Sequence, residues 1–251
     1  MKVVINPTYE YLREWIEQAP CFFEHEGTML YKGRNMIKTF TFDNGLDINI
    51  KRYRKPVWFN RIVYSFFRKT KAFRAYHNTL RIAVKGFATA EAIASIETKQ
   101  NGLLSDSYFI SLQLHEVEEM RAYYYGPLSG NEALIDAFAR YSAKLHDAGI
   151  YHLDYSPGNI LIRNDNGKYL FYLIDVNRMK FEAVTVNAGC RNFARLFGDD
   201  DIYRTIGMVY SQCRKEPFSQ EEAVRLIMKY KEAFLQMKSR KAKIKRLLKK
   251  S

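Results

Sequence analysis

The first half of the chain is patterned as strands around one helix. Runs rich in β-forming residues predict strands at Met29–Phe42, Leu46–Tyr53, Glu91–Thr98 and Ser107–Glu116. The turn signal Asp43-Asn44-Gly45 lies between the first two runs, and Asn101-Gly102 lies between the last two. Between the pairs, Lys71–Lys85 carries apolar residues at helical spacing. The predicted order is β-β-β-α-β-β, with two strands in the first run.

The second half is patterned mainly as helices. In Asn131–Ala148 the apolar residues share one helical face, and Gly149 is expected to end this helix. Ser219 and Glu222 form a capping-box pattern, which predicts another helix from Glu221 to about Met237. The change of pattern near Gly126-Pro127 suggests a boundary between two lobes.

A β-hairpin is predicted in the second half. Ile160–Arg163 and Tyr169–Ile174 are short apolar runs around an Asn-Gly turn. Antiparallel pairing brings the start of the first strand beside the end of the second. We therefore expect Asn159 and Asp175 to be neighbours, with Asp154 on the loop just before them.

The composition is that of a globular chain. Of its 251 residues, 47% are hydrophobic and 27% are charged, so a sizeable core is available. No run approaches the roughly 20 apolar residues that a membrane helix needs, and the start lacks the apolar core of a secretory signal. Cys21, Cys190 and Cys213 are far apart and outside any metal-binding spacing. We expect a cytoplasmic protein without a disulfide framework or a structural zinc site.

The net charge of +13 comes from two stretches. Eleven Lys and Arg and no acid lie between Ile48 and Ala90, and eight more lie between Lys238 and Lys250, again without an acid. This segregation predicts an anionic partner that meets a defined surface. Nucleic acid, a phosphorylated substrate and an anionic membrane would each serve, and a solvated basic face without a partner is the alternative.

The residues at the hairpin edge suit phosphoryl transfer. Asn159 and Asp175 offer hard oxygen ligands, which Mg²⁺ combines with substrate phosphates. Asp154 can accept a proton from an attacking hydroxyl. The pattern D-x-x-x-x-N, a hairpin and a further Asp is that of kinase-type enzymes. With His152 two residues before Asp154, ordinary turn and cap residues are the weaker interpretation.

The segment LHDAGIYHLDYSPGNILIRNDNGKYLFYLIDVNRM resembles the protein-kinase-like fold. More narrowly, it resembles the lipopolysaccharide kinase family, which phosphorylates Kdo or heptose sugars of the lipid A inner core. The stretches LYKGRNMIKTF, INIKRYRKP and IDVNRMKF support the resemblance, which spans most of residues 28–200. It implies a bilobal α+β fold with a β-rich N-lobe (1–118), a helical C-lobe (119–251) and ATP between them.

The family motif implies a role for each matching residue. Asp154 would be the catalytic base, Asn159 and Asp175 would hold Mg²⁺, and His152 would fix the loop by hydrogen bonds. Lys51, late in the third strand, would pair with the α/β-phosphates of ATP.

The elements around the nucleotide depart from the protein-kinase pattern. The turn over the phosphates contains one glycine, so Arg34 and Asn35 are expected to help Gly33 cover them. Hinge backbone near Leu114 and Glu116 would take the adenine.

Two further departures concern charge. The helix Lys71–Lys85 lacks the glutamate that usually pairs with the strand lysine, and His77 or Asn78 falls near its place. Lys51 must therefore find another partner. Ser156 stands where Ser/Thr protein kinases carry a lysine, which fits sugar or small-molecule phosphotransferases better.

The function expected from these residues is transfer of the ATP γ-phosphoryl group to a sugar hydroxyl of the lipopolysaccharide core. The alternatives are an aminoglycoside-type phosphotransferase, a Rio-like protein or RNA-associated kinase, and a non-catalytic pseudokinase. For the RNA alternative, aromatic residues such as Tyr53 and Trp58 would stack on bases. We do not expect nucleic acid as the partner.

The chain is also expected to bind the cytoplasmic face of the inner membrane without spanning it. Aromatic residues lie among bases in Lys55–Arg74, which is typical of an interfacial segment. Ile244, Leu247 and Leu248 lie at helical spacing among the terminal bases. Lobe packing and a solvated tail are the alternatives.

Overall fold

The computed structural model describes residues 1–124, 128–196 and 198–247. They form two compact units: Met1–His115 with Asp175–Arg178, and Glu116–Ile174 with the residues from Met179 onward. The predicted boundary at Gly126-Pro127 lies outside the described residues.

The first unit is built on a six-stranded antiparallel sheet in the order β1-β6-β7-β4-β3-β2. The strands of this unit are β1 (Lys2–Ile5), β2 (Thr28–Lys32), β3 (Met36–Thr41), β4 (Asp47–Tyr53), β5 (Ala88–Thr89), β6 (Ala92–Gln100) and β7 (Leu103–Leu112). The short β5 is not part of the six-stranded sheet. The helices of this unit are α1 (Arg13–Phe22), α2 (Trp58–Ile62) and α3 (Lys71–Val84), with a 3-10 helix at Pro7–Leu12 and a π-helical segment at Val63–Phe67.

Strand alternation divides the side chains of β4 between two helices. Ile48 and Ile50 are fully buried in one cluster with Ile16 of α1. Tyr53, on the opposite face, packs against Ala72 of α3. Lys51 shares that face because it lies two residues before Tyr53. The α3 face of the sheet therefore carries the candidate nucleotide lysine.

The second unit is mainly helical. Its helices are α4 (Arg121–Tyr124), α5 (Glu132–Asp147), α6 (Val186–Asn192), α7 (Asp200–Cys213) and α8 (Gln220–Leu247), with 3-10 helices at Pro157–Asn159 and Phe193–Arg195. Its strands are β8 (Glu118–Glu119), β9 (Ile150–His152), β10 (Ile160–Asp165), β11 (Lys168–Leu173) and β12 (Met179–Phe181). β10 pairs with β11 and β8, and β9 pairs with β12, all antiparallel.

The predicted elements of this unit are confirmed, with one correction. Gly149 ends α5 in the left-handed region at φ +70°, and Glu222 N donates to Ser219 Oγ (3.1 Å) at the start of α8. The end predicted near Met237 is wrong, because α8 continues to Leu247. Its buried residues are confined to the first two turns, so the basic remainder is a solvated helix rather than a loose tail. Leu248 lies outside the described residues.

The described part of the chain contains no helix long and apolar enough to cross a membrane. In Lys55–Arg74, Val57, Trp58, Phe59 and Phe67 are exposed, whereas Ile62, Val63 and Tyr64 are half-buried. The proposed stacking of Tyr53 on RNA bases is wrong, because its side chain is 3% exposed and packs under α3.

Candidate active site

Asp154 lies on a loop whose backbone is fixed by its neighbours. His152 is fully buried at the end of β9; its Nε2 donates to Ile174 O (3.1 Å), and its Nδ1 accepts from Asp154 N (3.0 Å). These two bonds require the neutral tautomer with the proton on Nε2. Tyr155 is also fully buried and shares a hydrogen bond with Ser142 of α5 (2.8 Å). The Asp154 carboxylate is left about one-third exposed.

Asn159 closes the loop onto the hairpin. Its Nδ2 donates to Asp154 O (2.8 Å), and its backbone oxygen accepts from Ile174 N (3.0 Å). The predicted hairpin is confirmed, and its register pairs Ile160 with Leu173. Because the amide nitrogen is used internally, Oδ1 is the atom suited to a hard cation. Asp175 is the next residue of the chain after Ile174.

Within the first unit, Lys51 pairs with Asp175. The distance from Lys51 Nζ to Asp175 Oδ1 is 2.7 Å, and the lysine side chain is only 15% exposed. Asn177 Nδ2 donates to the same oxygen (2.6 Å). Asp175 adopts φ +54°, a conformation that costs free energy and is often found at functional sites. The partner that sequence analysis could not find for Lys51 is therefore Asp175.

The helix α3 contacts the segment after Asp175 without an acidic side chain. Asn78, near the expected place of the missing glutamate, donates from Nδ2 to Val176 O (2.7 Å). This bond ties α3 to the backbone that carries Asp175. Among the acidic residues of the described first unit, Asp175 is the one that forms an ion pair with Lys51.

Arg195 is a site residue that sequence analysis missed. Its guanidinium forms an ion pair with Asp154 Oδ1 and lies 5.5 Å from the centre of the Phe234 ring. Both side chains of the pair are about one-third exposed. Arg195 is 41 residues after Asp154, in the short 3-10 helix after α6, so no local motif signals it.

A cavity of about 680 Å³ lies beside this ion pair in the second unit. Arg195 and Arg191 line it with positive charge, Lys180 is paired with Glu182 in the same lining (2.8 Å), and Phe234 with Met237 give it an apolar wall. Its size and mixed lining fit a sugar with an anionic substituent.

The other predicted nucleotide residues lie at two exposed places. Gly33 N donates to Asn35 O (3.0 Å) in the turn between β2 and β3, and Arg34 is exposed there. Leu114 follows β7 with its oxygen accepting from Gln113 Nε2 (2.9 Å). Glu116 is exposed and has φ +54°. No ligand set of three or more His, Cys, Asp or Glu occurs among the described residues.

A buried polar network connects α5 to the loop that carries Asp154. His146 Nδ1 accepts from Tyr210 OH (2.8 Å), and its Nε2 donates to Asn192 Oδ1 (3.0 Å). Asn192 Nδ2 in turn donates to His152 O (2.9 Å). Arg214 also donates to Tyr210 and pairs with Asp147. Burial lowers the pKa of His146 from 6.5 to about 4, with the Arg214 charge adding to the effect.

Comparison with known proteins first defines the class of fold. The solved structure of WaaP in complex with acyl carrier protein matches with a TM-score of 0.61 at 17% identity, covering 97% of this chain and 98% of that one. The MAP kinase LmaMPK10 from Leishmania major (TM-score 0.42, 13% identity, 86% and 65% covered) and the PknI kinase domain from Mycobacterium tuberculosis (0.43, 13%, 81% and 94%) also match. The WaaP match confirms the predicted α+β fold, with a β-rich N-terminal part and a helical C-terminal part.

The family follows from the sequence itself. A model of the lipopolysaccharide kinase (Kdo/WaaP) family matches residues 30–230, so the chain belongs to that family. No curated protein matches this chain. The predicted kinase family is thus confirmed, whereas the roles of the individual site residues stay predictions.

Proposed function

We propose that this protein transfers the γ-phosphoryl group of ATP to a hydroxyl of a Kdo or heptose sugar in the lipopolysaccharide inner core. Family membership supports the reaction class. The observation that carries the assignment to residues is the closed loop that holds Asp154 through His152 and Asn159, with its carboxylate exposed.

In the proposed reaction, Asp154 accepts the proton of the sugar hydroxyl as its oxygen attacks the γ-phosphorus. The new bond joins the sugar oxygen to phosphorus, and the bond from phosphorus to the β,γ-bridging oxygen breaks, so ADP leaves with that electron pair. Catalysis then rests on position and charge rather than on a covalent intermediate.

Lys51 is proposed to hold the α/β-phosphates, with Gly33, Arg34 and Asn35 over them and backbone near Leu114 and Glu116 at the adenine. As the family motif implies, Asp175 and Asn159, through its Oδ1, are each proposed as an oxygen ligand of Mg²⁺. When bound, Mg²⁺ neutralises phosphate charge. The chain's own part is to keep Asp175 in place through Lys51 and Asn177.

We propose that Arg195 supplies the charge that Ser156 cannot. A guanidinium beside the base can pair with a phosphoryl oxygen once Asp154 turns to the acceptor. The cavity next to it, with Arg191 and Lys180, would take the acceptor sugar. This enzyme would work at the cytoplasmic face of the inner membrane, where its lipid-linked acceptor is accessible.

The decisive experiment replaces Asp154 by asparagine, which keeps the size of the side chain and removes the base. With ATP, Mg²⁺ and deacylated Kdo-lipid A or heptosylated core as acceptors, phosphate transfer read by mass should fall roughly 10²–10⁴-fold. ATP binding should persist. The matched control is Asp165→Asn, an exposed carboxylate of the same hairpin, which should keep full activity.

The same assay separates the alternatives. Transfer to an aminoglycoside or to RNA but not to core sugar would replace the proposed acceptor. ATP binding without transfer to any of these acceptors would favour a pseudokinase. A near wild-type rate for Asp154→Asn would refute the assignment of the base.

A further inference from the structure

A cationic cavity of about 370 Å³ lies in the first unit at the N-terminal end of α3. Its walls come from the end of β4, the segment after it, the turn between β2 and β3, and the start of α3. Four lining side chains are cationic, namely Arg34, Arg54, Lys55 and Lys71. None of the described residues that line it is acidic.

A buried hydroxyl without a partner lines the same cavity. Tyr53 is 3% exposed, and its OH makes no hydrogen bond within the described part of the chain. Burial, followed by the charge of Asp175, raises the Tyr53 pKa well above its usual value, so the hydroxyl stays a donor. A buried donor without an acceptor is costly and uncommon. An acceptor from a ligand would satisfy it.

The charges around Tyr53 also call for an anion. Lys71 Nζ lies 5.8 Å and Lys51 Nζ 5.5 Å from the centre of its ring. Burial, then the charge of Arg34, lowers the Lys71 pKa, and Arg74 and Lys51 add to this against the opposing effect of Asp175. The positive end of the α3 dipole points to the same place, since Thr70 caps this 14-residue helix. A dianion would relieve this repulsion.

The rim of the cavity is apolar and exposed. Val57, which lines the cavity, is 69% exposed, and Trp58 and Phe59 beside it are 68% and 69% exposed. This segment is held in place, because Arg61 Nε donates to Leu104 O (2.7 Å) and Leu104 N donates to Ser65 Oγ (2.8 Å). Binding of a small soluble anion would leave these apolar side chains exposed to water. Tryptophan and phenylalanine next to cations are typical of a surface that enters the membrane interface.

We propose that this cavity binds the phosphomonoester headgroup of a membrane lipid. Tyr53, Lys71 and Arg54 would contact the phosphate, and Val57, Trp58 and Phe59 would lie among the acyl chains. Arg34 borders both this cavity and the proposed nucleotide site, so the lipid site adjoins the proposed transfer site but does not require turnover. With this site, the protein would prefer lipids with a phosphomonoester headgroup over other anionic lipids at the same surface charge.

The test compares vesicles of phosphatidylcholine containing phosphatidic acid with vesicles containing phosphatidylglycerol, adjusted to equal zeta potential. The wild-type protein should bind the phosphatidic acid vesicles about tenfold more tightly, the worth of one hydrogen bond to a charged group. Tyr53→Phe and Lys71→Gln should each remove that preference. Lys85→Gln, the matched change of charge just beyond the other end of α3, should keep it.

Calorimetry with short-chain dihexanoyl phosphatidic acid tests the pocket without a membrane. Trp58→Ser should weaken vesicle binding and leave this soluble binding unchanged, and circular dichroism melts verify that each variant folds. Equal binding to the two vesicles, or a preference that both cavity variants retain, would overturn the proposal. Displacement of the lipid by ATP would assign the cavity to the nucleotide, and equally tight binding of inorganic phosphate would assign it to a free anion.

Discussion

Asp154 is held through its backbone, which leaves its carboxylate for chemistry. Its N–H bonds to His152 and its carbonyl accepts from Asn159, so the loop geometry does not depend on the carboxylate. The ion pair with Arg195 is made at the carboxylate itself. A change at Arg195 should therefore affect the reaction more than the position of the loop.

The prediction for Arg195→Gln is a fall in kcat of roughly 10²-fold with little change in the KM for ATP. The physical reason is that a charge near the transferred phosphoryl group acts mainly in the transition state. Steady-state kinetics with a core-sugar acceptor measures both constants. Adding Ser156→Lys to this variant should restore part of kcat, because it returns a cation to the position used by Ser/Thr protein kinases.

Arg191→Gln is the matched control, because Arg191 lines the same cavity and packs on Tyr230 instead of pairing with Asp154. We expect it to change the KM for the sugar and spare kcat. A normal kcat in Arg195→Gln, or a loss confined to ATP binding, would contradict the role given to Arg195.

At the scale of single residues, the sequence could predict contacts between residues that are close together in the chain, but not contacts between distant ones. His152, Asp154 and Asn159 lie within one loop, so their spacing alone indicated the arrangement. The pairs Lys51–Asp175 and Arg195–Asp154 join residues 124 and 41 positions apart. Their geometry depends on tertiary packing, which no local pattern encodes.

At the scale of elements, α5 supports the loop that carries Asp154 through His146. A charged imidazole would need a second acceptor, but Tyr210 OH already accepts from Arg214 and donates to Nδ1. The folded state therefore keeps His146 neutral, in accord with its lowered pKa of about 4. The unfolded chain takes up this proton near pH 6.5.

This difference predicts acid destabilisation. Between pH 6.5 and about 4 the unfolded state binds one more proton than the folded state, so the free energy of unfolding falls as the pH falls. The loss from this group is at most about 3 kcal/mol and is absent above pH 7. Urea unfolding at a series of pH values measures this dependence. In His146→Gln the free energy of unfolding should be lower overall and should fall less steeply as the pH falls from 6.5 to about 4. The exposed His25→Gln serves as control, and an unchanged slope in His146→Gln would contradict the prediction.

The helices α1, α2, α4, α6 and α7 were not predicted, and two of them, α1 and α7, contain a residue that disfavours helix. Pro20 lies inside α1, which packs against the sheet through Ile16 and Phe23 at its end. Gly207 lies inside α7, where a Cβ atom would come within 3.1 Å of Val224 Cα in α8. Packing outweighs local propensity in both places. The helix α3 and the hairpin, whose propensity and packing agree, were predicted.

At the scale of the whole chain, each unit carries one cluster of basic residues without an acid among them. One is the cationic cavity of the first unit, and the other is the end of α8, where every described residue from Leu235 to Leu247 is exposed. The sequence predicted the charge segregation and the helical spacing of Ile244 and Leu247, with a solvated tail as the alternative. As a helix, the end of α8 presents Ile244 and Leu247 beside the bases, which fits binding to anionic lipid.

Deletion of residues 238–251 should weaken binding to anionic vesicles and leave the preference for phosphatidic acid over phosphatidylglycerol intact. Each base near an anionic surface contributes roughly 1 kcal/mol, and this attraction is screened by salt. Co-sedimentation should therefore show binding that falls between low and physiological ionic strength, with a shallower salt dependence in the truncated chain. A full-length chain with Ile244→Ser and Leu247→Ser controls for the apolar contribution, since it keeps every charge. If the truncated chain bound as tightly as the wild type, or if neutral and anionic vesicles bound equally, the helix end would be a solvated surface without a membrane role.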